Sequence, residues 1–177
     1  MKIKDIDFEE FIGEEEIQAK VRSLADEINQ EYAGKTPFFL AVLNGSFMFA
    51  ADLIRHITIP SRVSFVKISS YEGMHTTGQL RTLLGLEESL FKQDVVVVED
   101  IVDTGLTLEK ILQELGDLGV NSAEVVTLIR KKAAREKKTN VRFTGFDIED
   151  EFVLGYGLDY DGLGRNFRNL YKAVTPK

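Results

Sequence analysis

The chain has 177 residues, no cysteine and a formal net charge of −7 at pH 7. This length is typical of one compact domain, so residues 1–177 are expected to form a single unit. The missing cysteines exclude disulfides and thiolate metal sites, and they fit a reducing cytoplasm. The acidic charge argues against a nucleic-acid partner, and the lack of a long apolar run argues against a membrane partner.

Up to residue 70 the hydrophobic pattern predicts two helices and two strands. Apolar residues recur every three or four positions across residues 14–32, as in an amphipathic helix. The apolar run at 37–43 indicates a buried strand, and Asn-Gly-Ser at 44–46 indicates a turn. Residues 47–57 suit a second helix, and residues 62–70 suit a second strand.

The next segment, residues 71–84, shows no helical periodicity. Its first part, 71–78, is rich in Gly and Thr and is predicted to form a loop. Its second part, 79–84, suits a short strand.

Two further strands with a helix between them are predicted beyond this segment. Residues 95–98 are four valines without alternation, as expected for a strand whose two faces are both covered. Apolar spacing predicts a helix over 108–115, ended by Gly116 or Gly119, and a strand over 123–129. The alternation of strands and helices predicts an α/β fold with a largely parallel sheet.

Three carboxylates follow the valine strand in the sequence VVVVEDIVDTGLT, namely Glu99, Asp100 and Asp103. Like charges this close repel one another, so a ligand is expected to hold them there. In an open α/β sheet, ligands bind at the carboxyl ends of the strands, which is where these residues are expected. The Glu99–Asp100 pair suits a ribose diol or a hydrated magnesium ion.

The residues after Val102 lead into a helix and so favour an anion. Exposed amides and the positive end of the dipole attract negative charge at a helix N-terminus. Gly105 allows a close approach of the backbone, and Thr104 and Thr107 add hydroxyl donors, so a phosphate monoester fits. The alternative is that Asp103 or Thr104 merely caps the helix, which leaves the Glu99–Asp100 pair without a role.

This stretch resembles the phosphoribosyl diphosphate (PRPP) signature of type I phosphoribosyltransferases, and its Glu-Asp variant is similar to the hypoxanthine-guanine branch. The resemblance covers nearly the whole chain. It implies a mostly parallel twisted sheet flanked by helices, with a small hood built from the N- and C-terminal segments. It also implies that PRPP is bound by Glu99, Asp100, Asp103, Thr104, Gly105, Leu106 and Thr107.

Residues 43–53, LNGSFMFAADL, resemble the loop of this family whose backbone amides bind diphosphate. The resemblance assigns that role to Leu43, Asn44, Gly45 and Ser46. The family often has a non-proline cis peptide there, which by position is Leu43–Asn44. Many members carry Lys where this chain has Asn44, so a charge near the diphosphate is missing. The alternative is a plain strand-to-helix turn.

Residues 69–81 resemble the family's mobile loop, with Ser70 and Tyr71 as the marker pair. The resemblance implies that this pair contacts diphosphate when the loop closes over the occupied site. An ordinary surface loop is the alternative, and His75 is expected to be solvated rather than catalytic.

The basic run at 128–138 contains Lys131, which matches the lysine that contacts the exocyclic oxygen of a 6-oxopurine. A cation there favours a carbonyl oxygen over an amino group. The neighbours Arg130 and Lys132 are the alternatives for this role. A solvated basic face is the usual interpretation of such a run.

The segment DEFVLGYGLDYDGLGRNFRNL, residues 150–170, carries the remaining matches. Phe152 matches the aromatic residue that stacks on the purine, and Val153 matches the residue whose backbone contacts the base edge; core packing is the alternative for both. Asp159 matches an aspartate near the base and the magnesium diphosphate. Arg165 matches an arginine that contacts diphosphate, with Arg168 as the competing register.

The resemblance implies an enzyme of purine salvage. It would transfer the phosphoribosyl group of PRPP to N9 of hypoxanthine, and of guanine, with Mg²⁺ held by Glu99, Asp100 and Asp159. Asp103 would accept the purine N7 proton, either as a full base or as a hydrogen-bond partner. A homodimer or homotetramer is expected. The alternatives are a xanthine-preferring transferase and a non-catalytic regulator that binds PRPP or a nucleotide on the same fold.

Overall fold

The computed structural model describes residues 1–67, 89–137 and 140–174. Within these ranges the elements, in chain order, are β1 Lys2–Ile3, β2 Ile6–Ile12, α1 Glu14–Glu31, β3 Phe38–Leu43, α2 Phe47–Arg55, β4 Arg62–Lys67, β5 Asp94–Val102, α3 Leu106–Asp117, β6 Ser122–Lys131, α4 Lys132–Glu136, β7 Phe143–Ile148, β8 Val153–Leu154 and β9 Leu170–Ala173. No helix in the described ranges is long and apolar enough to cross a membrane.

Five strands form a parallel sheet in the order β4-β3-β5-β6-β7, which confirms the predicted α/β fold. Strand β5 lies at its centre, and its four valines are fully buried. Val96 and Val98 pack into the core cluster beneath α1 and α2, whereas Val95 and Val97 pack into the cluster beneath α3. The valines therefore serve two cores on opposite faces of the sheet, and this explains why they do not alternate with polar residues.

The two ends of the chain meet in a second, antiparallel sheet in the order β1-β2-β9-β8. Strand β2 pairs with β9, so residues near the N-terminus lie beside residues near the C-terminus. This is the predicted hood, and Phe8, Ile12 and Leu170 bury its inner face.

The structure corrects the predicted ends of three elements. Strand β5 runs to Val102 rather than to Val98, because its pairing with β6 continues through Ile101 and Val102. Glu99 and Asp100 are therefore part of the strand and do not follow it. Helix α3 begins at Leu106, two residues before the predicted start, and ends at Asp117 with Gly116 inside it. Gly119, the other predicted end, follows the C-cap residue Leu118 and has φ +71°, so this alternative is confirmed.

Strand β6 is also longer than predicted and includes Lys131. In contrast, α1 spans the predicted range to within one residue. Three predicted features lie outside the described residues: the last residues of the 62–70 strand, the 71–78 loop with Ser70 and Tyr71 at its base, and the 79–84 strand.

Candidate active site

Glu99 and Asp100 form a buried acidic pair at the carboxyl end of β5, with 7% and 9% of their surfaces exposed. Burial raises the pKa of Glu99 well above its ordinary value, and the neighbouring charge of Asp100 raises it further. Burial also raises the pKa of Asp100, although backbone hydrogen bonds and the charge of Arg165 oppose this effect. The pair is therefore poor at carrying two negative charges until a ligand compensates them.

The loop after β3 packs directly against this pair. The Leu43–Asn44 peptide bond is cis, as predicted. A side chain on Gly45 would overlap the carboxylate of Asp100, so only glycine fits between the loop and β5. Ser46 is fully buried, and its hydroxyl donates to the carbonyl oxygen of Val42 at 2.6 Å. The Ser46 hydroxyl is thus already committed, which leaves Asn44 and Gly45 as the open part of the loop.

Arg165 reaches the same region from the C-terminal segment. Its guanidinium lies 2.6 Å from the carboxylate of Asp159 and donates to the carbonyl oxygen of Gly157 at 2.7 Å. Arg168, the competing register, instead pairs with Glu14 and has a side chain that is 80% exposed. Of the two arginines, Arg165 is the one whose charge acts on Asp100.

The N-terminus of α3 opens onto a cavity of about 130 Å³. Gly105 is the N-cap residue and has φ +80°, a backbone conformation that favours glycine. Neither Asp103 nor Thr104 occupies the capping position, so the plain capping alternative is wrong. The cavity is lined by Glu99, Ile101, Val102, Asp103, Thr104, Gly105, Thr107 and Leu108.

Lys131, on the neighbouring strand β6, bonds to Asp103, one of the residues that line this cavity. The ammonium group of Lys131 donates to the Asp103 carboxylate at 3.2 Å, because Val102 pairs with Arg130 and the next residue of each strand follows in register. Arg130 is instead bonded to Asp147, and Lys132 pairs with Glu149. Of the three candidates Arg130, Lys131 and Lys132, Lys131 is the one that bonds to Asp103.

Phe152 and Val153 lie at the open edge of the hood. The Phe152 ring is 42% exposed and stands edge-on to Tyr160, with 5.6 Å between ring centroids, so it is not a core residue. The side chain of Val153 is buried, as the core-packing alternative expected. Its backbone groups are placed differently. The Ala173 N–H donates to the carbonyl of Phe152, and Val153 lies opposite Lys172 in the β8–β9 pair. In this register the N–H and C=O of Val153 point away from β9.

A family model described as Phosphoribosyl transferase domain matches residues 12–161. The chain belongs to the phosphoribosyltransferase family. A hypoxanthine phosphoribosyltransferase of Salmonella typhimurium is 43% identical over 169 residues, which cover 94% of this chain and 95% of that protein. A hypoxanthine-guanine phosphoribosyltransferase of Staphylococcus aureus is 39% identical over 159 residues, 89% of each chain.

Solved structures agree with this membership. The crystal structure of a hypoxanthine-guanine phosphoribosyltransferase from Bacillus anthracis, with HEPES in its active site, superposes with a TM-score of 0.85 at 37% identity. The alignment covers 96% of this chain and 98% of that one. The predicted family and its fold are therefore confirmed.

In this phosphoribosyltransferase the three carboxylates predicted as metal ligands do not form one group. The described residues contain no cluster of three or more His, Cys, Asp or Glu side chains that could hold a metal ion. Asp159 is turned away, because its two oxygens bond to Arg165 and to the amide of Gly162. The oxygens of Glu99 and Asp100 still suit Mg²⁺, which binds through one or two carboxylates together with substrate oxygens and water.

Two buried residues beside the site were missed at the level of the sequence. Gly157 lies against the carbonyl oxygen of Gly45, and a side chain at position 157 would overlap that oxygen. The Tyr156 hydroxyl donates to Asp52 of α2. The Gly-Tyr-Gly run at 155–157 is the signal that points to such a tight contact.

Proposed function

We propose that the protein transfers the 5-phosphoribosyl group of PRPP to N9 of hypoxanthine, and of guanine, giving IMP or GMP and diphosphate. The observation that carries this proposal is the Lys131–Asp103 pair beside the cavity at the N-terminus of α3. It offers a cation for a 6-oxo group and a carboxylate for an adjacent ring N–H, next to an anion site. The names of the relatives that match over nearly their full length support the same activity.

The 5′-phosphate of PRPP would lie at the N-terminus of α3. The amides and hydroxyls of Thr104, Gly105, Leu106 and Thr107 would bind it, and Thr104 and Thr107 are exposed there. Glu99 and Asp100 would accept hydrogen bonds from the ribose hydroxyls. A diol donates to both carboxylates at once, and this relieves the cost of two adjacent buried charges.

The diphosphate would lie between the β3–α2 loop and Arg165. Leu43, Asn44, Gly45 and Ser46 would offer backbone groups, and Arg165 would supply charge on the opposite side. Ser70 and Tyr71, which lie outside the described residues, keep their predicted role above the diphosphate. The Glu99–Asp100 pair and oxygens of the substrate would hold Mg²⁺ when PRPP is bound. The ion would then neutralise charge on the leaving diphosphate.

The purine would stack on Phe152, which is partly exposed, and its edge would meet the N–H and C=O of Val153 that point away from β9. Lys131 would then donate to the 6-oxo group, while Asp103 accepts the N7 proton. N9 would attack the anomeric carbon of PRPP as the bond between that carbon and the diphosphate oxygen breaks. The proton on N7 would move towards Asp103. Catalysis would come from holding both reactants together and stabilising the charge that moves onto diphosphate.

A base-by-base activity panel with PRPP and Mg²⁺ tests the proposal. Hypoxanthine and guanine should be converted to nucleotides, and adenine should not, because its 6-amino group meets the Lys131 ammonium. Preferred use of xanthine would replace the proposal with the xanthine-preferring alternative. Binding of PRPP without any nucleotide product would support the regulator alternative, which the catalytic names of the relatives do not favour.

We also propose a cytoplasmic homodimer or homotetramer. The absence of cysteine fits a reducing compartment, and the oligomer rests on family resemblance. Sedimentation of the purified protein would determine its oligomeric state.

A further inference from the structure

A hydrogen-bond network joins three distant parts of the chain behind the active site. The hydroxyl of Tyr156 donates to Oδ2 of Asp52 at 2.6 Å, and the side-chain amide of Gln18 donates to the same oxygen at 2.7 Å. Gln18 lies on α1 and Asp52 on α2. Tyr156 is only 5% exposed, and burial raises the pKa of its hydroxyl, so the group remains a donor throughout the ordinary pH range.

The backbone around Tyr156 requires such an anchor. Gly155, Tyr156 and Gly157 have φ values of 103°, 48° and 102°, three successive left-handed residues. Glycine adopts this conformation freely, but a tyrosine does so only when its surroundings hold it there. Backbone hydrogen bonds from Tyr156 to Phe167 and from Gly157 to Arg165 close this turn. The buried Tyr156 ring and its bond to Asp52 are the side-chain contacts that fix it against α2.

The turn sets the position of the groups proposed to bind diphosphate. Gly157 touches the carbonyl oxygen of Gly45 on one side, and its own carbonyl accepts a hydrogen bond from Arg165 on the other. Asp52 lies on α2, the helix that begins at Phe47, two residues after Gly45. The Tyr156–Asp52 bond therefore ties the segment that carries Arg165 to the helix that carries the Gly45 loop.

We infer that Tyr156, acting through Asp52, is a positioning residue that sets the distance between the Gly45 loop and Arg165, and thereby the affinity for PRPP and diphosphate. The inference rests on the proposed function, since it presumes that diphosphate binds between these two elements. Neither side chain touches a reacting atom.

The effect should be confined to the diphosphate end of the site. The base-contacting strand β8 is held separately, because Val153 and Leu154 pair with β9. The phosphate site at the N-terminus of α3 belongs to another element. Loss of the Tyr156 hydroxyl thus loosens the diphosphate contacts and leaves the other two subsites in place.

The decisive experiment compares Tyr156→Phe with Tyr160→Phe. Both changes remove one hydroxyl from the same segment, but the Tyr160 hydroxyl donates to Asp5 of the N-terminal hairpin. We expect Tyr156→Phe to raise the KM for PRPP and the Kd for diphosphate about fivefold or more, because small misplacements of binding groups are costly. The KM for hypoxanthine should stay within about twofold, and Tyr160→Phe should leave all three constants near wild type.

Asp52 supplies a second, independent comparison. Asparagine offers a carbonyl oxygen where Oδ2 accepts both hydrogen bonds, so Asp52→Asn should keep the PRPP constant of the wild type. Asp52→Leu offers no acceptor and should reproduce Tyr156→Phe. A double variant, Tyr156→Phe with Asp52→Leu, should be no worse than Asp52→Leu alone, because Asp52→Leu already removes the bond to Tyr156 together with the bond from Gln18. If Tyr156→Phe fails to fold, the two Asp52 variants decide the question.

Three outcomes would overturn the inference. One is an unchanged PRPP constant in Tyr156→Phe; another is an equal rise in Tyr160→Phe. The third is a fall in kcat alone with a lower Tm, since a purely structural role reduces the folded fraction without changing KM. A wild-type protein that forms no nucleotide would instead refute the proposed function, so the two failures are distinguishable.

Discussion

The ammonium group of Lys131 and the carboxylate of Asp103 lie 3.2 Å apart across the carboxyl ends of two neighbouring strands. The Lys131 side chain is 12% exposed, whereas the Asp103 side chain is 60% exposed. The cation is therefore held by the protein, and the carboxylate projects towards the cavity. A 6-oxopurine has an acceptor at O6, which suits the Lys131 ammonium, and an N–H at N7, which suits the Asp103 carboxylate.

Asp103→Asn is expected to lower kcat while PRPP binding persists. The amide is nearly the same size as the carboxylate but cannot accept a proton, and general-base contributions amount to roughly 10²–10⁴-fold. Steady-state kinetics with hypoxanthine would measure this, with Asp117→Asn, at the far end of α3, as the control for charge. A kcat equal to that of the wild type in a folded variant would remove Asp103 from the reaction and leave it a pairing partner of Lys131.

Lys131→Ala is expected to raise the KM for hypoxanthine about tenfold or more and to change the KM for PRPP much less. A charge-assisted hydrogen bond contributes about 1.5–3 kcal/mol, and 1.4 kcal/mol corresponds to a factor of ten. Lys132→Ala is the matched control, because this adjacent cation pairs with Glu149. If Lys132→Ala alone weakens purine binding, the assignment of Lys131 is wrong.

Arg165→Gln is expected to weaken binding of PRPP and diphosphate by about 10- to 100-fold, the range for losing a charge-assisted contact. Arg168→Gln removes the same charge from an exposed side chain paired with Glu14 and should have little effect. Calorimetric titration of each variant with diphosphate measures the difference. Equal affinities for the two variants would show that Arg165 serves Asp159 and Gly157 only.

Gly45→Ala and Gly116→Ala should have opposite consequences. A methyl group at Gly45 would overlap the Asp100 carboxylate, so kcat/KM for PRPP should fall more than about tenfold as the loop or the carboxylate moves. Gly116 lies in α3 with open space around it, and alanine there should stabilise the helix by about 0.5–1 kcal/mol with activity unchanged. Full activity of Gly45→Ala would contradict the close packing of this loop on β5.

Asp94 should make the stability of the fold depend on acid pH. Hydrogen bonds from Ser122 and Asn121, at 2.7 and 2.5 Å, hold the pKa of this carboxyl below its ordinary value of 3.8. The folded protein thus binds fewer protons than the unfolded chain, and the stabilisation is complete above the unfolded pKa and lost as pH falls through the folded pKa. Asp94→Asn should lower the free energy of unfolding by about 1–2 kcal/mol at neutral pH.

Denaturant unfolding of wild type and Asp94→Asn between pH 7 and pH 3 would measure this dependence. The difference between them should shrink below about pH 4, because there the Asp94 carboxyl of the unfolded chain is protonated before that of the folded protein. Asp26→Asn, on the exposed side of α1, is the control. A difference that stays constant down to pH 3 would mean that the hydrogen bonds stabilise the fold independently of charge.

The parallel core could be predicted from the sequence alone. Four consecutive valines are compatible with a strand buried on both faces, and helical spacing identified α1 to within one residue. Gly105, which follows Asp103 and Thr104, indicated the helix N-terminus that the structure shows there. These are local signals, because side-chain period and turn chemistry depend on residues close together in the chain.

Which of the candidate basic side chains pairs with Asp103 became visible in the three-dimensional structure. Arg130, Lys131 and Lys132 are alike in sequence, and their roles separate only because Asp147, Asp103 and Glu149 stand beside them in space. The length of β5 was missed for the same reason, since the pairing partners that extend it lie on β6. Hydrogen-bond and ion-pair partners far apart in the chain leave no periodic trace in the sequence.

The Tyr156–Asp52 bond shows this limit most clearly. Its partners are 104 residues apart, and nothing in the pattern around Asp52 distinguishes it from an ordinary polar residue on an amphipathic helix. Glycines flank the tyrosine at residues 155–157, and this pattern is typical of a tight turn, although no turn was predicted there. The folding of the hood onto α1 and α2 determined what that turn contacts, because packing brings the buried hydroxyl to the one acceptor that satisfies it.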